Sequence, residues 1–160
     1  MKKIFSLVFL FSFFFVIRSI VFSHCEVPCG IYNDEMRFTM IEEHIQTIEK
    51  AMNQIMELSK QSPQNMNQIV RWIMNKEKHA EEIQHIISQY FLTQRIKGPG
   101  SKDKDAEESY VTKLTLCHQI LVLAMQAKQT TELEKVNSLK SALKHFKESY
   151  FGEKEHNHKD

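Results

Sequence analysis

From residue 34 onward, apolar side chains recur at steps of three and four in four separate blocks, which is the period of an amphipathic α-helix. In the first block, from about Asp34 to Gln61, Met36, Met40, Ile41, Ile45, Ile48, Met52, Ile55 and Met56 form one stripe. Asn33 or Asp34 suits its start, because either side chain accepts hydrogen bonds from the unpaired N–H groups of a first turn. Ser62-Pro63-Gln64 breaks it. The second block spans about Asn65 to Arg95, with Ile69, Val70, Ile73, Met74, Ile83, Ile86, Ile87 and Tyr90 predicted to face inward. Gly98-Pro99-Gly100-Ser101 and the charged run Lys102 to Glu108 then make the longest linker. A third helix is expected over about Ser109 to Gln126, carrying Leu114, Cys117, Ile120, Leu121 and Met125. The fourth is expected over about Thr131 to Phe151, with Leu133, Val136, Leu139, Leu143, Phe146 and Tyr150 in phase. The polar tail Gly152 to Asp160 is expected to be disordered. Four such stripes with mostly short connections predict an all-α protein, an antiparallel four-helix bundle in which the Met, Ile and aromatic residues form core.

Residues 1–23 follow a different pattern. Lys2 and Lys3 precede an apolar run from Ile4 to Ile17, and Val21 and Ser23 stand three and one positions before a cut after Ser23. That is the layout of a secretory signal peptide. A membrane anchor is the competing reading, but Arg18 interrupts the run short of the roughly 20 apolar residues a span needs. The expected organisation is a leader over 1–23, a helical domain over 24–151 whose first residues 24–32 form a hook, and a tail over 152–160. Cleavage after Ser23 makes His24 the first residue of the mature chain.

Composition sharpens this picture in two ways. The chain has 160 residues, room for one ordinary domain, and only four Gly and three Pro, which favours long helices over many turns. Its 21 basic residues nearly balance 20 acidic ones, and loss of Lys2, Lys3 and Arg18 with the leader leaves 18 against 20, a formal charge of −2. A weakly acidic mature protein excludes the polyanion-binding class, so no nucleic-acid partner is expected, nor a membrane after leader removal.

The chemistry concentrates in His24-Cys25-Glu26-Val27-Pro28-Cys29-Gly30-Ile31-Tyr32. Three readings compete for its cysteines. Paired cysteines in an oxidising compartment normally form a disulfide. Zinc or copper capture is a second possibility. In the third, the new N-terminal amine, the backbone nitrogen of Cys25 and the thiolates of Cys25 and Cys29 surround a divalent nickel, with the His24 imidazole above the plane. Nickel suits a square-planar nitrogen and sulfur set, whereas zinc prefers a closed tetrahedron. A histidine that is also first in the chain offers an amine and an imidazole together. Pro28 fixes the backbone between the cysteines, and Gly30 allows a sharp return.

The run His-Cys-x-x-Pro-Cys-Gly-x-Tyr, here His24, Cys25, Pro28, Cys29, Gly30 and Tyr32, resembles the metal hook of the nickel superoxide dismutases. The hook and the helical plan together extend the resemblance over nearly all of residues 24–151. It implies a homohexamer of four-helix bundles with one nickel ion per subunit, disproportionating superoxide to dioxygen and hydrogen peroxide as nickel alternates between divalent and trivalent states. His24, Cys25 and Cys29 correspond to metal ligands, with His24 as axial ligand, and Tyr32 to the tyrosine that orders substrate and water over the open metal face. Glu26 departs from the Asp of the commonest family members. The family also supports its axial histidine with a first-helix carboxylate, for which Glu42 and Glu43 are the candidates, and with an Arg from another helix. No Arg falls in a matching frame, and His79 in Lys76-Glu77-Lys78-His79-Ala80-Glu81 lies nearest. Tyr90 matches a second tyrosine near the site or is a core tyrosine whose hydroxyl finds one partner.

Elsewhere the signals are bland. Cys117 lies on an apolar helix face and reads as inert core. His44, His85, His118 and His145 share no ligand spacing and read as surface or packing residues, and His156 and His158 belong to the polar tail. The sequence therefore predicts a nickel-dependent superoxide dismutase, with superoxide as substrate. The alternative is a secreted helical interaction or metal-storage protein with a Cys25–Cys29 disulfide. The expected location is the extracellular space, the periplasm or an organelle lumen, rather than the cytoplasm.

Overall fold

The computed structural model describes residues 32–100 and 103–156, with side chains as far as Gly152. His24, Cys25, Cys29 and the leader lie outside the described residues. Within them, helix α1 runs Asp34–Leu58, α2 Met66–His85 followed by a π-helical segment Ile86–Arg95, α3 Lys104–Gln129 and α4 Leu133–His156. Each helix packs on the next, and α4 closes on α1. The pairings run antiparallel. Glu42 meets Lys147 while Glu49 meets Lys140, and Lys76 meets Ala127 while Gln84 meets Leu121. The expected antiparallel four-helix bundle is therefore the observed architecture. Among the described residues no helix is long and apolar enough to cross a membrane.

Helix ends follow local chemistry. Asn33 is the N-cap of α1, its side chain accepting from the Met36 N–H at 2.9 Å. Helix α3 begins at Lys104, earlier than the expected Ser109, so most of the predicted charged linker is helix. Asp103 caps it, and Asp105 and Glu107 place negative charge in its first turn, where the helix dipole favours it. Helix α4 continues past Phe151 to His156.

The core is an unbroken stripe from each helix. Phe38, Ile41, Ile45, Ile48 and Met52 of α1, Ile83 and Ile87 of the second rod, Cys117 and Ile120 of α3, and Val136, Leu139 and Phe146 of α4 are fully enclosed. Several residues expected inside are not. Met36, Val70, Met74 and Met125 are exposed, Met74 to 67%. Phe38, which the sequence pattern passed over, takes the central place. Its ring lies 4.8 Å from Phe91, 5.2 Å from Phe146 and 5.6 Å from Tyr150, centroid to centroid. This aromatic cluster fills the end of the bundle at which α1 begins. Offset and edge contacts of this kind add to the burial of large rings.

Lys76 is a charged residue built into the core, 3% exposed. Its Nζ donates to the carbonyls of Ala127, Lys128 and Thr130 at 2.8, 2.7 and 2.8 Å. An ammonium has three N–H donors, and these are the orphan carbonyls at the C-terminal end of α3, where the helix dipole favours a cation. Burial pushes the Lys76 pKa down, with the nearby Glu77 acting in the opposite sense. Lys76 thus fastens α2 to the turn between α3 and α4.

Candidate functional site

Tyr32, the last residue of the hook motif, is where the described structure begins. Two residues later Asp34 opens α1, and it is 8% exposed. Its carboxylate accepts from Arg95 Nε and Nη2, both at 2.8 Å, a bidentate pairing of the kind the planar guanidinium favours. The Tyr90 hydroxyl donates to Oδ1 at 2.6 Å and the Tyr150 hydroxyl to Oδ2 at 3.0 Å. One carboxylate at the start of α1 therefore gathers the end of the π-helical segment and the end of α4. Its negative charge also lies in the first turn of α1, the favourable end of that helix dipole.

Burial, then the bond to Asp34, pushes the Tyr90 phenol up to about 12. Tyr150 moves in the same direction, first through burial and then through the Asp34 charge. Arg95 is held more firmly protonated by its bond to Asp34. Both phenols therefore stay neutral and donate throughout the physiological range.

The π-helical segment makes the arrangement possible. Its hydrogen bonds span five residues, as in Ile96 N–H to the Phe91 carbonyl at 2.8 Å. Tyr90 and Arg95 are five residues apart. In an α-helix they would point about 140° away from each other at 3.6 residues per turn. The wider turn brings them onto one side, so both reach Asp34. Above this clamp, the Arg95 guanidinium carbon lies 4.4 Å from the centre of the Tyr32 ring, and Tyr90 meets that ring edge-on at 6.1 Å. Arg37 lies over the Tyr90 ring at 4.8 Å. On its other side the clamp borders a cleft of about 700 Å³ lined by Arg95, Lys97, Tyr110, Lys113 and Tyr150.

Of the residues singled out by sequence, Tyr32 and Tyr90 are thus brought together. Tyr90 is buried with its hydroxyl committed to Asp34 and its ring against Tyr32, as expected of a core tyrosine whose hydroxyl finds one partner. Glu42 is engaged by Lys147 at 3.3 Å and Glu43 is exposed, so neither belongs to this cluster. His24, which those carboxylates are expected to support, lies outside the described residues; the cluster itself is built on a different pair, Asp34 and Arg95. Sequence reasoning missed that pair because a regular α-helix would send Arg95 elsewhere.

His79 belongs to a different constellation. Its Nδ1 lies 2.8 Å from Nδ1 of His44, so α1 and α2 are bridged by one imidazole donating to the other. Burial, then the facing His79, lowers the His44 pKa, while Glu82 and Glu43 pull it back up. Burial, then Lys78, lowers that of His79, with Glu82 opposing. Both rings are therefore neutral at pH 7. The unfolded chain takes up these protons first as pH falls below about 6.5, so the stability linked to the pair is present above that value and lost below it. We expect the urea midpoint to fall between pH 7.5 and 5.5, and to fall less in His79→Gln. An equal fall in the variant would remove the pair as the cause.

Of the other histidines whose side chains are described, His85, His118 and His145 are exposed. Cys117 is fully enclosed and burial pushes its thiol up to about 12, so it stays protonated at neutral pH. Among the described residues, no three His, Cys, Asp or Glu side chains converge as a metal ion would require.

Comparison with known proteins gives one finding. No match appears among curated proteins or among solved structures. The family profile of nickel-containing superoxide dismutase, however, matches residues 19–154. That stretch takes in the hook motif, the Asp34 cluster and most of α4. The chain belongs to the nickel-containing superoxide dismutase family, and so is an oxidoreductase that uses nickel to act on superoxide.

Proposed function

We propose that the nickel of this enzyme is held by the hook His24-Cys25-Glu26-Val27-Pro28-Cys29, exposed at a new N-terminus by removal of a secretory leader after Ser23. The donor chemistry supports this. Two thiolates, an imidazole, an amine and a backbone nitrogen make a soft, nitrogen-rich set suited to nickel, and the described helices offer no rival site. Cys25 and Cys29 would hold the ion through their thiolates, and His24 through its imidazole and the new N-terminal amine, with the Cys25 backbone nitrogen as a further donor. When bound, nickel supplies a one-electron couple between its divalent and trivalent states.

The chain's own residues handle the substrate. Two superoxide ions and two protons become one dioxygen and one hydrogen peroxide. The Tyr32 hydroxyl, at the end of the hook, orders superoxide and the water that brings the protons. The observation that carries this role is the placement of the Tyr32 ring on the Arg95–Asp34 clamp, at the start of the bundle. A homohexamer, located in the extracellular space, the periplasm or an organelle lumen, completes the proposal.

Intact-mass spectrometry of the protein purified from its own cells, under conditions that retain metal, tests it. The expected mature chain begins at His24, carries one nickel ion and has Cys25 and Cys29 reduced. A chain that keeps residues before His24 has no amine ligand at that position and overturns the hook. A metal-free chain two hydrogen atoms lighter, with Cys25 and Cys29 joined, does the same.

A further inference from the structure

We propose that Arg95 is a positioning residue for catalysis, holding the ring of Tyr32 so that its hydroxyl is presented in one orientation. This rests on the role of Tyr32 given above and adds the device that fixes it. Tyr32 is 37% exposed and lies just outside α1, where a side chain ordinarily samples several rotamers. Here its ring has a neighbour on two sides. The Arg95 guanidinium lies 4.4 Å from the ring centre, and Tyr90 meets it edge-on at 6.1 Å. Neither neighbour is free to move. Arg95 is bidentate on Asp34, and Tyr90 donates to the same carboxylate, which Tyr150 holds from α4.

The three tyrosines of the Asp34 cluster differ in one telling respect. Tyr90 and Tyr150 spend their hydroxyls on Asp34. Among the described residues, no hydrogen bond engages the hydroxyl of Tyr32. A ring gripped by its faces with its hydroxyl left open is what orienting a small oxygen substrate requires. Arginine suits this task and lysine does not. Only a planar guanidinium offers two parallel N–H groups to the carboxylate while presenting a flat cation to an aromatic ring. The charge of Arg95 is largely answered by Asp34, so its contribution is orientation rather than attraction of the anion.

The test uses the full mature chain labelled with 3-fluorotyrosine, with the Tyr32 fluorine resonance assigned by its loss in Tyr32→Phe. In metal-free wild type, that resonance is expected to be displaced and broadened relative to free tyrosine. In Arg95→Gln and Arg95→Lys it moves to the free position and narrows, while the helix content stays as in wild type. Arg95→Lys keeps a cation beside Asp34, so it reports on ring anchoring even where Arg95→Gln folds poorly. In nickel-loaded protein, both variants keep the wild-type nickel content and lose about tenfold in kcat/KM, since small misplacements of an orienting group have effects of that order or larger. A Tyr32 resonance that does not respond to either variant overturns the anchoring. A resonance that is freed while kcat/KM stays within about twofold overturns the catalytic consequence. Failure of the parent reading is separate and visible in wild type alone, as absence of superoxide-dependent activity, whereas the fluorine spectra of the metal-free protein judge the anchoring in either case.

Discussion

Replacing Cys29 by serine is expected to remove superoxide dismutation and the nickel–thiolate absorption together. A hydroxyl is a poor donor to nickel and stays protonated at neutral pH, so the substitution deletes one of the two anionic sulfur ligands proposed for the hook. Loss of a group that only supports a metal ligand already costs about 10–100-fold in affinity or activity, so loss of a ligand should exceed a hundredfold. The bundle should be nearly indifferent. Its core is built from Phe38 onward, and residues outside a packed core usually change stability by no more than about 0.5 kcal/mol. Cys117→Ala is the matched control. Cys117 is fully enclosed and its thiol is held protonated, so its removal is expected to lower thermal stability modestly and to leave the absorption and activity in place. Retention of activity in Cys29→Ser would show that the hook is not the site. Loss of the absorption in Cys117→Ala would point to the bundle interior instead.

What the sequence disclosed and what it concealed divide along a physical line. The four helices were legible because burial against neighbours imposes a period of three and four, and that period survives in Ile41, Ile45, Ile48, Met52 and Ile55. The misplacements were errors of phase. Met36 lies about 200° around the helix from Phe38, and once Phe38 is taken as the start of the stripe Met36 must face out. Lys76 carried a readable signal that polarity masked. The steps Ile69, Ile73, Lys76, Ala80, Ile83 and Ile87 are four, three, four, three and four, so this lysine stood in phase with the core. The hook could be read as a motif because its residues are adjacent in the chain.

The cluster beneath Tyr32 could not be read that way. Asp34 and Arg95 are 61 residues apart, and they meet only because ten residues adopt the wider π-helical turn. No propensity rule distinguishes that segment from the α-helix leading into it. Taken as α-helix, the segment turns Arg95 away from Tyr90, so the sequence did not point to this cluster. The His44–His79 bridge was concealed for a simpler reason, since two unremarkable histidines become a pair only when α1 and α2 are in contact.

Asp34→Ala is expected to be among the most destabilising single substitutions in the chain. The change strips at least four hydrogen bonds from one buried carboxylate, among them two from Arg95 and one each from Tyr90 and Tyr150. What it leaves behind decides the magnitude. The Arg95 side chain is only 24% exposed, so its guanidinium would lose its counter-charge while still partly desolvated. Two buried phenolic hydroxyls would lose their acceptor. Removing one partner of a buried ion pair costs about 3–5 kcal/mol, because the orphaned charge retains its desolvation penalty. The partial exposure of Arg95 places this site toward the lower end, near about 3 kcal/mol, or roughly 10 °C in Tm for a domain of this size. Asp34→Asn keeps the shape and one acceptor but loses the charge, so it should fall between wild type and Asp34→Ala. Tyr150→Phe removes a single bond to the carboxylate and should cost about 1.5 kcal/mol. That ordering, measured by urea unfolding of the metal-free protein at pH 7.5, identifies the carboxylate as the hub. If Asp34→Ala cost no more than Tyr150→Phe, Arg95 would be adequately solvated without its partner, and the clamp would not be what joins the start of α1 to the ends of the π-helical segment and α4.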